Sequence, residues 1–246
     1  MMKTKTIRGV PFADATADEI LRFLAESVAD GRQLAVFTPN ADILQRAVED
    51  TAFRQTLLSG DVIVADGIGV IRAAKMLGQV LPEKIPGVEL GERLMAAGLG
   101  PVFLLGGKPG VAEEAAEKLA EKYPALTVAG CHDGYFDRSG AENERVLDAI
   151  RTSGAGIVLV CLGSPAQETW IAENRGALPN VRLLLGLGGS LDVYAGREKR
   201  APRIFIRCHA EWLWRIVRHP GKTGRLFSAL RLLIGTRREA KRQTRH

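Results

Sequence analysis

Asp66 stands between a short apolar run at 61–65 (DVIVA) and Gly67. A carboxylate delivered there by the end of a buried strand is partly desolvated, which moves its pKa toward values useful to a general base. The same position also suits the N-cap of a helix expected from Ile68. Thr38 and Asn40 flank Pro39 at another strand-to-helix junction. Their side chains either hydrogen-bond a ligand hydroxyl or shape and cap the turn. Three glycine turns, Gly106-Gly107, Gly163-Ser164 and the stretch 186–190 with Gly188 and Gly189, follow apolar runs and precede helical patterns. Such turns bring backbone N–H groups close to phosphate. Gln167 and Glu168 come directly after the second turn. The glutamine suits a base or a sugar hydroxyl, and the glutamate suits either a ligand or the first turn of a helix. These residue types fit a phosphorylated ligand and one carboxylate base.

Other chemistries lack their residues. No GxxxxGK[ST] occurs, and GLGGSL at 186–191 lacks the third glycine of GxGxxG, so the ATPase and dehydrogenase readings are set aside. No Asp-x-Asp pair is present to anchor a metal-bridged diphosphate. Cys131, Cys161 and Cys208 are odd in number and show neither zinc nor disulfide spacing, which implies buried thiols in a cytosolic chain. His132 and Asp133 have no second His or Cys at metal spacing. The expectation is no metal and no other cofactor.

The elements that position these residues follow from hydrophobic periodicity. Strands are expected at 34–37, 61–65, 102–105, 127–131, 157–161 and 181–185, alternating with helices from Thr16, Ala41, Ile68, Gly87, Val111, Ala141 and Gln167. Thr16 and Glu19 form a capping-box pattern, and 78–86 reads as a loop. This alternation predicts an α/β fold, a Rossmann-like doubly wound parallel sheet, in a core spanning 1–200. Ligands of such sheets sit outside the C-terminal strand ends. Thr38, Asn40, Asp66, Gly106, Gly163, Gln167 and Gly188 all fall there.

Charge divides the chain. Residues 1–196 hold 19 Lys/Arg against 25 Asp/Glu, whereas 197–246 hold 15 against 3. The basic C-terminal part, 201–246, is expected to be a helical appendage ending in about ten unordered residues. Phe205, Cys208, Trp212 and Ile216 recur at helical steps, a stripe suited to packing, with Arg207 and Arg215 on another face. Further on, Leu226, Phe227, Leu230, Leu233 and Ile234 form one apolar side flanked by Arg225 and Arg231, with Leu232 off the stripe. A basic amphipathic helix suits an anionic membrane surface, or else packs on its own domain or on a second copy. The body carries no helix-turn-helix or aromatic RNA-binding pattern, so nucleic acid is not the expected partner. No apolar run approaches a membrane span and no signal-peptide core is present, which leaves a cytoplasmic protein attached peripherally to the inner face of the membrane.

In this order and spacing the motifs TPNAD (38–42), VADGIGV (64–70), LPEKIPGVEL (81–90), FLLGGKPG (103–110), HDGYF (132–136), CLGSPAQETWI (161–171), GLGGSLDVYAGREKRAP (186–202) and EWLWR (211–215) resemble the WecG/TagA/CpsF glycosyltransferase family. The resemblance implies an inverting, metal-independent transfer from a UDP-sugar to a sugar on a polyprenyl diphosphate carrier in bacterial surface-polysaccharide synthesis. The transferred sugar is N-acetylmannosamine, its uronic acid or glucose. It implies Asp66 as base, with Thr38, Asn40 and Gln167 nearby, and a basic C-terminal appendage that acts at the membrane or in self-association. Departing charge on UDP would then meet the glycine-turn N–H groups, Lys84, and Arg203, Arg207 or Arg215. The chain departs from the family pattern at Lys84 (usually arginine), Pro86, Ala166, His209-Ala210 and 219–223, near the expected sugar and acceptor pockets. A non-catalytic scaffold is the alternative within the same family.

Overall fold

The computed structural model describes residues 2–198, 201, 202, 205, 214 and 224–243. The chain opens with a hairpin, β1 (Thr4–Ile7) and β2 (Val10–Ala13), turning through Arg8 and Gly9 at φ 53° and 81°. Two left-handed residues in a two-residue turn match the twist of paired strands. The capping box holds: the Thr16 side chain accepts from the Glu19 N–H while the Glu19 carboxylate accepts from the Thr16 N–H, opening α1 (Ala17–Ala29).

From there strands and helices alternate. β3 (Leu34–Phe37) leads to α2 (Ala41–Glu49) and α3 (Thr51–Leu58). β4 (Val62–Ile63) is followed by α4 (Ile68–Met76) and, after a loop, α5 (Gly87–Ala96). β5 (Val102–Gly106) and α6 (Val111–Lys122) come next, then β6 (Val128–His132) and α7 (Ala141–Ser153). β7 (Ile157–Cys161) runs into α8 (Ala166–Asn174), and β8 (Leu183–Gly186) into the short α9 (Ser190–Tyr194).

All six expected strands join one parallel sheet in the order β4-β3-β8-β7-β5-β6. Every residue of β3, β5, β7 and β8 is buried, as a sheet covered on both faces requires. Alternate side chains feed two cores. Phe37, Phe103, Leu105, Val158, Val160 and Leu184 pack on α2, α4, α7 and α8. Val36, Leu104, Ile157, Leu159, Leu183 and Leu185 pack on α1, α5, α6 and α9. The fold is the expected Rossmann-like one.

The last helix, α10 (Gly224–Gln243), packs on α2 and α4. It continues through Gln243, where Thr236 is fully buried and Glu239 pairs with Arg8 of the hairpin turn. The apolar side read from the sequence is largely its outward one. Leu232 is 0% exposed, whereas Phe227, Leu230 and Ile234 are 61%, 46% and 53% exposed. Gly235 and Thr236 lower the helix surface around Leu232, and the Arg8 guanidinium fits against Gly235.

Candidate active site

Beyond β3 and β4 the two chains stay paired. The Val64 N–H donates to the Phe37 carbonyl at 2.9 Å and the Asp66 N–H to the Pro39 carbonyl at 3.2 Å, which sets Asp66 beside 38–40. On the other side the Ile85 N–H donates to the Ala65 carbonyl at 2.8 Å, bringing Lys84 to the same end of the sheet. Asp66 and Lys84 are both half-buried. The cap residue of α4 is Gly67, at φ 112°, with no side-chain cap bond. Asp66 therefore stands one residue before the cap position.

Thr38 and Asn40 do shape the turn. The Thr38 hydroxyl, 5% exposed, donates to the Gly186 carbonyl at 2.9 Å. Asn40 Oδ1 accepts from the Asp42 and Ile43 N–H groups at 2.9 and 3.2 Å, capping α2. Because β8 lies between β3 and β7, the bond to Gly186 links this carboxylate end to the neighbouring strand ends.

Those neighbouring ends form a cleft of about 730 Å³. Its floor includes Gly107, Gly163, Gly188 and Gly189, and its rim includes Lys108, Tyr135, Arg138 and Asp192. Gly106, at φ 132°, sits beneath it: a Cβ there would lie 2.3 Å from the Cys161 carbonyl oxygen. Gly107, at φ 77°, and Gly134 carry the chain past it, the Gly134 N–H donating to the Gly107 carbonyl at 2.9 Å. Cys161 also lines the cleft, but burial pushes its thiol up to about 12, so it is no nucleophile at neutral pH.

Gln167 and Glu168 lie in the wall rather than on its surface, at 2% and 0% exposure. Gln167 Oε1 accepts from the Gly188 N–H at 2.8 Å, and Gln167 Nε2 donates to Glu168 Oε1 at 3.0 Å. The Glu168 carboxyl is pushed up by burial, against the opposing influence of that bond. A substrate contact by the Glu168 side chain, one of the two sequence readings, does not fit this depth.

The structure thus gathers the expected residues into two adjoining groups, Asp66 with Lys84, Thr38 and Asn40, and the glycine turns with Gln167. Arg203, Arg207 and Arg215 lie outside the described residues. The sequence reading passed over Lys108, Tyr135, Arg138 and Asp192. The first, second and fourth stand inside motifs that drew attention for their glycines. Arg138 follows HDGYF by two residues and had no pattern to single it out. Among the described residues no three His, Cys, Asp or Glu converge on a possible metal site.

A parallel sheet with a carboxylate at one strand end, beside a cleft floored by glycine turns, has its ligand site where open α/β sheets bind their ligands. The sequence model of the Glycosyl transferase WecG/TagA/CpsF family matches residues 5–246, and the chain belongs to that family. It is a glycosyltransferase. A Staphylococcus aureus relative is 35% identical over 229 residues, covering 90% of this chain and 87% of its own. One from Bacillus spizizenii is 33% identical over 231 residues (92% and 88%). One from Bacillus subtilis is 30% identical over 244 (98% and 93%). Each is named N-acetylglucosaminyldiphosphoundecaprenol N-acetyl-beta-D-mannosaminyltransferase.

Proposed function

We propose that the chain transfers a sugar of the N-acetylmannosamine type from a UDP-sugar to a polyprenyl-diphosphate-linked sugar, with inversion and without a metal. The acceptor class and the sugar type follow the names of the relatives. One observation carries the chemistry: Asp66 lies half-buried beyond β4, one residue before the cap of α4, and adjoins the cleft through the Thr38–Gly186 bond. In this reading Asp66 takes the proton of the acceptor hydroxyl as that oxygen attacks the anomeric carbon, and the bond to UDP breaks on the opposite face. Proton removal of this kind contributes roughly 10²–10⁴-fold. Backbone N–H groups of the glycine turns and the Lys84, Lys108 and Arg138 side chains meet the charge on departing UDP.

The lipid carrier places the reaction at a membrane surface. Among the described residues no helix is long and apolar enough to cross one. The outward row Phe227, Leu230 and Ile234 of α10, with exposed Arg231, Arg237 and Arg238, supports peripheral contact with an anionic leaflet. The test is UDP release from a panel of UDP-sugars, with EDTA present and a short-chain polyprenyl-diphosphate sugar as acceptor. Acceptor-dependent release from one donor is expected. UDP binding without release from any donor favours the scaffold alternative, and absence of both removes the reading.

A further inference from the structure

Gln167 and Glu168, in the first turn of α8, tie together the turns of the cleft. The Gln167 backbone N–H donates to the Gly163 carbonyl at 2.8 Å, while its side-chain oxygen accepts from the Gly188 N–H at 2.8 Å. Its side-chain nitrogen donates to Glu168 Oε1 at 3.0 Å. The amide therefore has one usable orientation, since reversal would set its NH₂ against the Gly188 N–H. What fixes that orientation is Glu168.

Glu168 is fully buried, and its second oxygen, Oε2, has no hydrogen-bond partner. Ser164 Oγ, on the Gly163 turn, is likewise buried without a partner. The hydroxyl lies near enough to influence the carboxyl, though no bond of normal geometry joins them. Among the described residues no Lys or Arg forms an ion pair with Glu168. Arg46 of α2 favours the charged form, but it is the weakest influence beside burial and the hydrogen bonds. A buried carboxylate without a cation is strongly disfavoured, whereas a carboxylic acid has an O–H to offer the nearby Ser164 hydroxyl. Burial accordingly raises its pKa.

We propose that Glu168 is a positioning residue of the transfer reaction, a neutral acid that holds the Gln167 amide against Gly188 and so sets the cleft turn. In this state Oε1 accepts from Gln167 and the Oε2 proton points to Ser164 Oγ. When pH rises that proton goes to solvent. The serine must then reverse to donate, and the buried anion draws in water or shifts the wall. The Gly188 turn loosens and the donor is held less well. This inference rests on the reading that the cleft receives the UDP-sugar.

The experiment compares the wild type with Glu168→Ala and Glu168→Gln, reading KM for the donor and UDP affinity across neutral to alkaline pH. Alanine removes the acceptor of the Gln167 amide together with the acid that faces Ser164, and is expected to raise donor KM by about tenfold or more. Glutamine keeps an acceptor for Gln167 and a donor for Ser164 but cannot ionise. It is expected to recover most of the alanine loss, with a donor KM flat in pH where that of the wild type climbs. An unrescued glutamine variant, or one with the wild-type alkaline climb, overturns the proposal. Infrared difference spectra between wild type and Glu168→Gln give a second readout that needs no activity. A protonated-carboxyl C=O band at neutral pH that fades on alkalinisation is expected, and its absence overturns the neutral acid whatever the kinetics. If the band titrates but UDP binds neither protein at any pH, the donor reading itself has failed and the proposal falls with it.

Discussion

The Thr38 hydroxyl donates to the Gly186 carbonyl at 2.9 Å, a buried bond that ties the end of β3 to the end of β8. It is the joint between the Asp66 end of the site and the glycine cleft. Gly87, the first residue of α5, closes over it so tightly that a Cβ there would lie 2.8 Å from Thr38 Oγ1. Replacing Thr38 by valine keeps the shape and strands the carbonyl. A loss of about 1–3 kcal/mol in unfolding free energy is expected, with a fall in transfer rate. Thr38→Ser should restore both. Urea unfolding and steady-state kinetics on the pair decide it, and equal stability of Thr38→Val and wild type would deny the joint its role.

Asp66→Asn tests the base directly. The amide keeps size and polarity but cannot take the acceptor proton, so turnover should fall by roughly 10²–10⁴-fold. UDP affinity should hold near the wild-type value, because the amide keeps the size and polarity of the group. Calorimetric UDP binding beside single-turnover kinetics separates the two effects. Wild-type turnover would remove Asp66 from the chemistry.

Gly106→Ala tests the cleft floor. Its φ of 132° is one that side-chain-bearing residues rarely adopt, and the new methyl would meet the Cys161 carbonyl rather than a movable side chain. Stability should drop by more than about 1 kcal/mol, and the β5–β7 edge of the cleft should distort. Gly163 also has a positive φ, 76°, but a Cβ there would meet nothing within 4 Å. Gly163→Ala should therefore cost less, through backbone strain alone. Denaturation midpoints in the reverse order would contradict the packing argument.

Glu168 also leaves a mark on stability. Its folded pKa is raised, with burial as the leading cause. The unfolded chain releases this proton first, so stability is greatest below the ordinary glutamate range. It is lost as pH rises from there through the folded value. Glu168→Gln lacks that proton, so its stability relative to wild type should improve over the same window. Unfolding free energies measured against pH for both proteins provide the check, and parallel curves would show that Glu168 is not a buried acid.

Much of this architecture was legible because each strand is a short apolar run with a glycine or polar residue at its C-terminal end. The alternation of β3, β4, β5, β7 and β8 with helices sufficed to place Asp66, Thr38 and Gly188 at the C-terminal end of one sheet. The Thr16 capping box was equally plain. The hairpin was not, because its turn uses Arg8 at φ 53° where asparagine or glycine is the usual sign. Neither was the role of Gln167, since a glutamine after a glycine turn does not reveal whether it faces a ligand or, as here, the Gly188 N–H. The cleft cations Lys108 and Arg138 are lone charges in loops, and only the assembled sheet brings them together.

The last helix packs through a residue off its apolar stripe and turns most of that stripe outward, and this arrangement makes a prediction. Among the described residues Leu232 and Thr236 are the fully buried positions of α10, with Arg8 and Glu239 pairing alongside. Leu232→Ala should cost about 2–5 kcal/mol and loosen α10 from α2 and α4. Phe227, Leu230 and Ile234 face outward, so replacing all three by serine removes little packing. Each exposed change should fall within roughly 0.5 kcal/mol. If this row enters an anionic leaflet, with neighbouring arginines adding about 1 kcal/mol each at the surface, the triple variant should lose sedimentation with anionic vesicles while keeping its fold. Leu232→Ala should be less stable yet still bind while folded. A triple variant that sediments like wild type would leave the row without a membrane role, whereas one that unfolds would place it inside a contact between copies of the chain.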